Sequence, residues 1–275
     1  MVKKIAERGY IFLILALMYL PIVLVIVFSF SGSSRFTFTD GFTFDSYVQL
    51  FTAAPQKLWD SLVNTVIIAV VSSVAATAIG SVAAVGIYNM KPRFRRIVEN
   101  VNQLPIINSE IVMAVSLMLF FATLRIENAY VRLILGHITF CTPYVVLSVM
   151  PRLMQMDPNI YEAALDLGAS PVKAMIKVVV PYILPGVLSG FAMAFTISLD
   201  DFIITQLTKG ASSGVDTLST YLYSSLGRTA SGMRPYWLPV FSIIIVAVVG
   251  IVLLINVRSY KKEGRKKEKN NEKSR

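Results

Sequence analysis

EAALDLGASPVKAMIKVVVP, residues 162–181, is a polar, charged island set between long apolar runs. It follows Pro158, and Tyr161 to Leu167 reads as a short helix ended by Gly168, a residue that adopts the left-handed C-cap conformation at little cost. Pro171 suits the first turn of a second helix, expected to run through Lys173 and Lys177 to Pro181. Two short helices hinged on a glycine between membrane-length segments make either a docking loop for another protein or an amphipathic hairpin that merely joins two spans.

Outward from this island the chain is too apolar for a soluble domain. Of its 275 residues, 55% are hydrophobic and 15% charged, with a mean hydropathy of +0.64, whereas charged residues alone approach about a quarter of an average soluble domain. A helix needs about 20 apolar residues to cross roughly 30 Å of hydrocarbon. Six runs meet that length, at about 10–30, 62–88, 104–124, 130–150, 183–205 and 237–257. The expected architecture is all-α and polytopic, with six transmembrane helices. One membrane domain accounts for residues 1–257, the island is its loop at about 158–182, and residues 258–275 form a basic tail expected to be disordered.

Orientation follows from Lys and Arg, which set topology while acidic residues contribute little. The two ends and the even-numbered loops hold 19 of the 26 basic residues, among them Lys3, Lys4 and Arg8, then Lys91, Arg93, Arg95 and Arg96. Both termini and the 158–182 loop are therefore expected in the cytoplasm. The first run has the basic start of a secretory signal but is too long and lacks a convincing cleavage site, so it is read as a mature span. The net charge of +10 does not require nucleic acid. The tail adjoins a span, and attraction to anionic membrane lipid, about 1 kcal/mol per basic residue near the surface, explains it more simply.

Several chemistries lack their motifs. No G-x-x-x-x-G-K-[ST] phosphate loop occurs, so the chain is not expected to hydrolyse ATP, and no nucleotide or other cofactor is expected on it. There is no G-x-S-x-G elbow or H-E-x-x-H pair. Cys141 and His137 each stand alone, which excludes an internal disulfide and makes a poor metal site; both read as packing or satisfied polar groups in the fourth span. The chain is not expected to be an enzyme, and any energy input must come through a partner.

Charge inside the membrane runs is the strongest pointer to a ligand. Asp200 and Asp201 stand side by side in the fifth run, ILPGVLSGFAMAFTISLDDFIITQL. A helix starting near Gly186 places Asp200 about 21 Å in, roughly two thirds of the way across. An ionised Asp at that depth costs about 2.5–3.5 kcal/mol on insertion scales, so it normally faces a wet cavity or a partner. Neighbours on a helix project about 100° apart, so one can line a path while the other orients it. Ser198 precedes them and offers a hydroxyl to a substrate amine. A structural role for the pair, as an interhelical salt bridge or at the membrane surface, is the alternative.

Glu110, near the start of the third run, is either a second station for a cation or a helix-start charge favoured by the macrodipole. In the first outer loop Tyr47 stands among Phe42, Phe44 and Phe51 with Asp40 and Asp45. Its ring suits an entering cation, and an aromatic anchor at the membrane interface explains it equally well.

The 162–181 island resembles the signature loop of permease subunits in ATP-binding-cassette (ABC) importers, with pattern E-A-A, three residues, G, nine residues, I, one residue, L-P. Glu162, Ala163, Ala164, Gly168 and Pro181 match it, and Val178 and Val180 replace Ile and Leu. The resemblance implies a type I ABC importer permease fold, with a coupling loop that fits a groove on a separate ATPase and Glu162 as its charged contact. S-L-D-D-F at 198–202 and a carboxylate before I-V-M-A-V-S-L at 110–117 narrow the resemblance to spermidine/putrescine permeases, with Ser198, Asp200, Asp201 and Glu110 on the family positions. That resemblance implies a polyamine cargo, a second permease chain, two copies of an ATPase that binds the ATP, and an extracytoplasmic substrate-binding protein. The alternatives are an ABC permease for another cargo, an ion-coupled secondary transporter using the same acids, or a non-transporting scaffold. Adjacent carboxylates argue against an anionic cargo, no internal repeat supports a secondary carrier, and a scaffold leaves the intramembrane acids unexplained.

Overall fold

The computed structural model describes residues 2–31, 41–210, 214–226 and 238–247, with side chains from Gly9 onward apart from that of Pro158. The helices are α1 (Val2–Phe28), α2 (Asp45–Thr52), α3 (Gln56–Tyr88), α4 (Pro92–Ile107), α5 (Glu110–Thr123), α6 (Ala129–Gln155), α7 (Pro158–Asp166), α8 (Pro171–Ala174), α9 (Val180–Asp200), α10 (Ile203–Thr208), α11 (Leu218–Leu226) and α12 (Leu238–Ala247). Among the described residues the only other regular pairing is the isolated bridge between Ser31 and Phe42. By length and composition four stretches can cross a membrane: Gly9–Phe28, Gln56–Tyr88, Ala129–Gln155 and Pro171–Asp200. The bent pair α4–α5 is a fifth only where its two helices are taken as one span, and α12 occupies the start of the sixth predicted run, the rest of which lies outside the described residues, as does the basic tail.

Two predicted elements differ in shape. The third run, read as one span over 104–124, is two helices bent by 102°. Asn108 and Ser109 are both extended, with ψ 150° and 136°, and two consecutive extended residues interrupt the helical hydrogen-bond ladder. The second helix of the 162–181 island does not end at Pro181. It continues as one helix from Pro171 to Asp200. A π-turn over Met175–Val179 makes this possible: the N–H of Val180 bonds the carbonyl of Met175, five residues back. The widened turn accommodates Pro181, which has no N–H and would crowd the carbonyl four residues before it.

The chain forms two compact units, residues 56–223 and, from both ends of the sequence, residues 1–55 with 224–275. In the central unit α6 lies between α3 and α9. Its residues Cys141, Val145, Val146, Val149 and Leu153 share a core with Ala76 and Ala84 of α3 and Ile183 and Ala194 of α9. Glycines set the spacing. A Cβ at Gly80 would lie 2.7 Å from Val145 Cβ, and one at Gly190 3.1 Å from Val145 Cγ1. Another at Gly186 would lie 3.0 Å from the Ser148 carbonyl. Small residues at helix contacts are how membrane helices gain close packing, since lipid gives apolar surfaces no incentive to associate. A second cluster, Ala114, Leu117, Phe121, Phe140 and Ile204, seats the short α10 against α5 and α6. The opposite face of α3 leaves Val63, Ile67, Val70, Val74 and Val82 exposed.

Beyond the end of α10, Asp216 accepts from Lys209 Nζ at 2.7 Å and pairs with Lys57 Nζ at 2.9 Å. Burial alone would raise the pKa of the Asp216 carboxyl, but the two ammonium groups hold it below the usual carboxylate range. Asn64 Nδ2 donates to the Asp216 carbonyl, and the N–H of Leu218 donates to Thr65 Oγ1. These bonds tie the segment after α10 back to the start of α3.

In the other unit Tyr47 Oη bonds Ser29 Oγ at 2.6 Å and Ser242 Oγ at 3.0 Å, linking α2 to the end of α1 and to α12. Phe30 packs on Phe42, Phe44 and Tyr47 with ring centroids 5.0–5.4 Å apart. From Gly9 to Leu24 the side chains of α1 are exposed.

The glycine contacts on α6 generate a direct test. Gly80→Val should force Val145 and its helix away, at a cost of about 1–3 kcal/mol for overpacking. Gly86, where an added Cβ meets nothing within 4 Å, should accept Val with little change. Thermal unfolding of the purified protein distinguishes the two.

Candidate functional site

The fifth predicted run breaks at the acidic pair. Helix α9 ends at Asp200, Asp201 is extended (φ −61°, ψ 133°), and α10 begins at Ile203. The break sends the two carboxylates to different surroundings. Asp200 is exposed, and its carboxylate has no bonding partner among the described residues. Asp201 is turned inward, with its side chain 3% exposed. Its Oδ1 accepts from the N–H of Ile204 at 3.2 Å, and its Oδ2 accepts from the N–H and the hydroxyl of Thr205, both at 2.8 Å. The carboxylate thus caps α10, supplying acceptors to backbone donors that have no partner within the helix.

Ser198, one turn back on α9, is buried, and its Oγ lies 2.7 Å from His137 Nδ1 of α6. His137 Nε2 lies 3.1 Å from Thr205 Oγ1 and 3.6 Å from Asp201 Oδ2. The lone histidine of the sequence therefore bridges α9 and α10. Sequence reasoning treated it as a satisfied polar group, which it is; the missing information was its partners, 61 and 68 residues away.

Glu110 opens α5 and is exposed. It belongs to the same unit as Asp200, and its place in the first turn suits the positive end of the helix dipole. Tyr47 belongs to the other unit, half-buried, with its hydroxyl engaged by two serines. It lines a largely apolar cavity of about 490 Å³ with Ile26, Phe30, Phe44 and Val246. Asp40 lies outside the described residues.

The island folds as a helix–turn–helix. Asp157 Oδ1 accepts from the N–H of Asn159 at 2.9 Å and caps α7. At its other end Gly168 takes φ +83°, its N–H bonds Leu165 O, and the N–H of Ala169 bonds Ala164 O. Glu162, Ala163 and Gly168 are exposed and Ala164 is half-buried. Around them Ile160, Leu167, Val172 and Ile176 present apolar side chains outward, Leu167 at 89% exposure. Such a surface is unusual for a mere connection, since contiguous exposed apolar patches mark interaction sites. Glu162 also edges a pocket of about 360 Å³ lined by Tyr88, Asn89, Leu153, Met156, Tyr161 and Met175.

Residues 76–260 match the family described as "Binding-protein-dependent transport system inner membrane component". The chain belongs to this family. The permease is 32% identical over 248 residues to the spermidine/putrescine transport system permease protein PotC of Haemophilus influenzae, covering 90% of this chain and 94% of that one. To PotC of Escherichia coli K12 it is 35% identical over 228 residues, covering 82% and 85%. To the putrescine transport system permease protein PotI of the same organism it is 30% identical over 243 residues, covering 86% and 83%. Its fold is similar to that of a bacterial ABC transporter for import of the acidic polysaccharide alginate, with a TM-score of 0.69 at 15% identity, over 93% of this chain and 95% of that one. The permease is thus an all-α, multi-pass membrane protein of the type I ABC importer fold and a transport subunit.

The unequal surroundings of the two aspartates predict unequal effects on stability. Asp201→Ala removes the acceptors of the Ile204 and Thr205 amides and should cost about 1–3 kcal/mol, the penalty for a buried donor left unpaired. Asp200→Ala breaks no bond among the described residues and should leave the melting temperature nearly unchanged. A thermal-shift assay of the two purified variants checks this.

Proposed function

We propose that this permease carries polyamines, spermidine or putrescine, in an ATP-driven importer. The observation that carries the reading is identity of 32–35% with spermidine/putrescine permeases across more than four fifths of both chains. An exposed carboxylate at the end of a transmembrane helix is the chemistry a polyvalent ammonium requires, and Asp200, without a partner among the described residues, is such a group. Glu110 is assigned as a second acidic station. Asp201 and Ser198, engaged with α10 and His137, act from behind, and Tyr47 offers an aromatic face to the alkyl and ammonium parts of the cargo.

In this reading both termini and the island face the cytoplasm. The island docks on a separate ATPase, which binds and hydrolyses ATP, so the permease needs no cofactor of its own. Glu162 makes the charged contact, with Ala163 and Ala164 in the docking helix and Gly168 fixing the angle between the two short helices. A second permease chain encloses the path, and an extracytoplasmic binding protein delivers the cargo. ATP-driven closure of the ATPases moves the island as a rigid body. Because α8, the π-turn and α9 form one continuous helix from Pro171 to Asp200, motion at the island reaches Asp200 along a single rod.

The test is radiolabelled spermidine uptake into proteoliposomes containing the whole complex, with and without internal ATP. Uptake should require ATP, and Asp200→Asn should lower it about tenfold or more, the effect of a lost charge-assisted contact of about 1.5–3 kcal/mol. Absence of spermidine uptake by the native complex would refute the cargo. Gly168→Pro, which cannot adopt a positive φ, should abolish uptake while leaving the ATPase of the assembled complex active and unresponsive to loaded binding protein. Normal stimulation in that variant would refute the coupling role.

A further inference from the structure

Behind the acidic pair lies a buried polar network whose donors and acceptors fix its proton arrangement. Thr205 Oγ1 donates its single proton to Asp201 Oδ2 at 2.8 Å. Toward His137 that oxygen can therefore only accept, so Nε2 of the imidazole carries a proton and donates to it at 3.1 Å. In the neutral ring Nδ1 is then an acceptor, and it takes the proton of Ser198 Oγ at 2.7 Å. The bonds run in one direction, from Ser198 to His137 to Thr205 to Asp201. His137 is 2% exposed, Ser198 4% and Thr205 0%, so water does not compete for them.

Taken together, these bonds bridge the break by way of α6. Ser198 belongs to the last turn of α9, Thr205 to α10, and no helical hydrogen bond joins the two across Asp201 and Phe202. His137 is on neither; it projects from α6, the helix held on both sides by glycine contacts. The imidazole therefore fixes where α9 stops and α10 starts relative to the most tightly packed helix of the unit. Gly136, beside it, lets α10 close in: a Cβ there would lie 3.3 Å from Ile204 Cγ2.

Resting on the polyamine reading for its cargo, but not for its geometry, we propose that His137 is a positioning residue for transport. It holds the α9–α10 break through Ser198 and Thr205, so that Asp201 is retained as the cap of α10 and the exposed Asp200 is presented to the cationic cargo. His137 touches no cargo itself.

The experiment uses the assembled complex and two readouts. In proteoliposomes, His137→Leu should raise the KM for spermidine about tenfold, the size expected for loss of buried hydrogen bonds, with a smaller change in maximal rate. His137→Gln, whose amide keeps one donor and one acceptor, should restore most of the affinity. Independently of cargo, Gln206→Cys, an exposed position on α10, is labelled with a hydrophilic maleimide in nanodiscs; buried Cys141 gives the background. His137→Leu should change the labelling rate at position 206, and His137→Gln should not. If His137→Leu assembles with native KM and native labelling, the proposal is overturned. Should His137→Leu fail to assemble, Thr205→Val, which severs one arm of the relay, takes its place with the same two readouts, and native values there overturn the proposal equally. Failure of the native complex to take up spermidine would remove the cargo reading alone, because the labelling result stands without it.

Discussion

The close approach of α6 to α3 and α9 is the constraint on which the rest depends. Gly80, Gly186 and Gly190 let two helices press on the same stretch of α6, Val145 to Arg152, to a distance at which a single added carbon would collide. In a bilayer, where apolar surface gains little from leaving lipid, such contact is a main source of cohesion between helices. Its consequence is mechanical. Helix α9, which carries the Gly186 and Gly190 contacts, continues without interruption from the island to Asp200, and α6, which receives them, carries His137 at the far end of the same bundle. The 162–181 island and the acidic pair are thus attached to one pair of helices, each in tight register with the other.

The spans were legible in the sequence because length and hydropathy alone decide them, and four of the six predicted runs coincide with helices long enough to cross. The helix read over Tyr161–Leu167 and its stop at Gly168 were legible too, since a glycine at the C-cap is a local signal that the structure obeys; the helix starts earlier, at Pro158, capped by Asp157. What was not legible depends on hydrogen-bond accounting over a few residues. Nothing in hydropathy distinguishes a straight run of 104–124 from one broken at Asn108 and Ser109. Pro181 reads as a terminator in a list of preferences, yet a five-residue turn ahead of it absorbs the missing donor.

The acidic pair shows the same limit at the level of a site. Adjacency in sequence indicated two carboxylates on one helix, projecting about 100° apart. The structure instead ends the helix between them, and this separates their fates more completely than rotation on a helix does. Asp201 leaves the α9 ladder, enters the core and spends its lone pairs on two amides and a hydroxyl. Its partners are Ile204 and Thr205, three and four residues on, a cap pattern that D-x-x-[IT]-T spacing carries too weakly to be read alone. The histidine was visible as a solitary residue, and solitary histidines carry no message until a partner is seen.

A carboxylate at membrane depth is costly unless its charge is met by something. For Asp201 the protein itself meets it, with oriented backbone N–H groups of α10, the Thr205 hydroxyl and the nearby imidazole edge. For Asp200 no group among the described residues does so. A cation approaching Asp201 would have to displace bonds already made, whereas one approaching Asp200 would displace none among the described residues. Two adjacent acids of equal chemistry are in this way made unequal: one caps the helix after the break, and the other has no partner among the described residues.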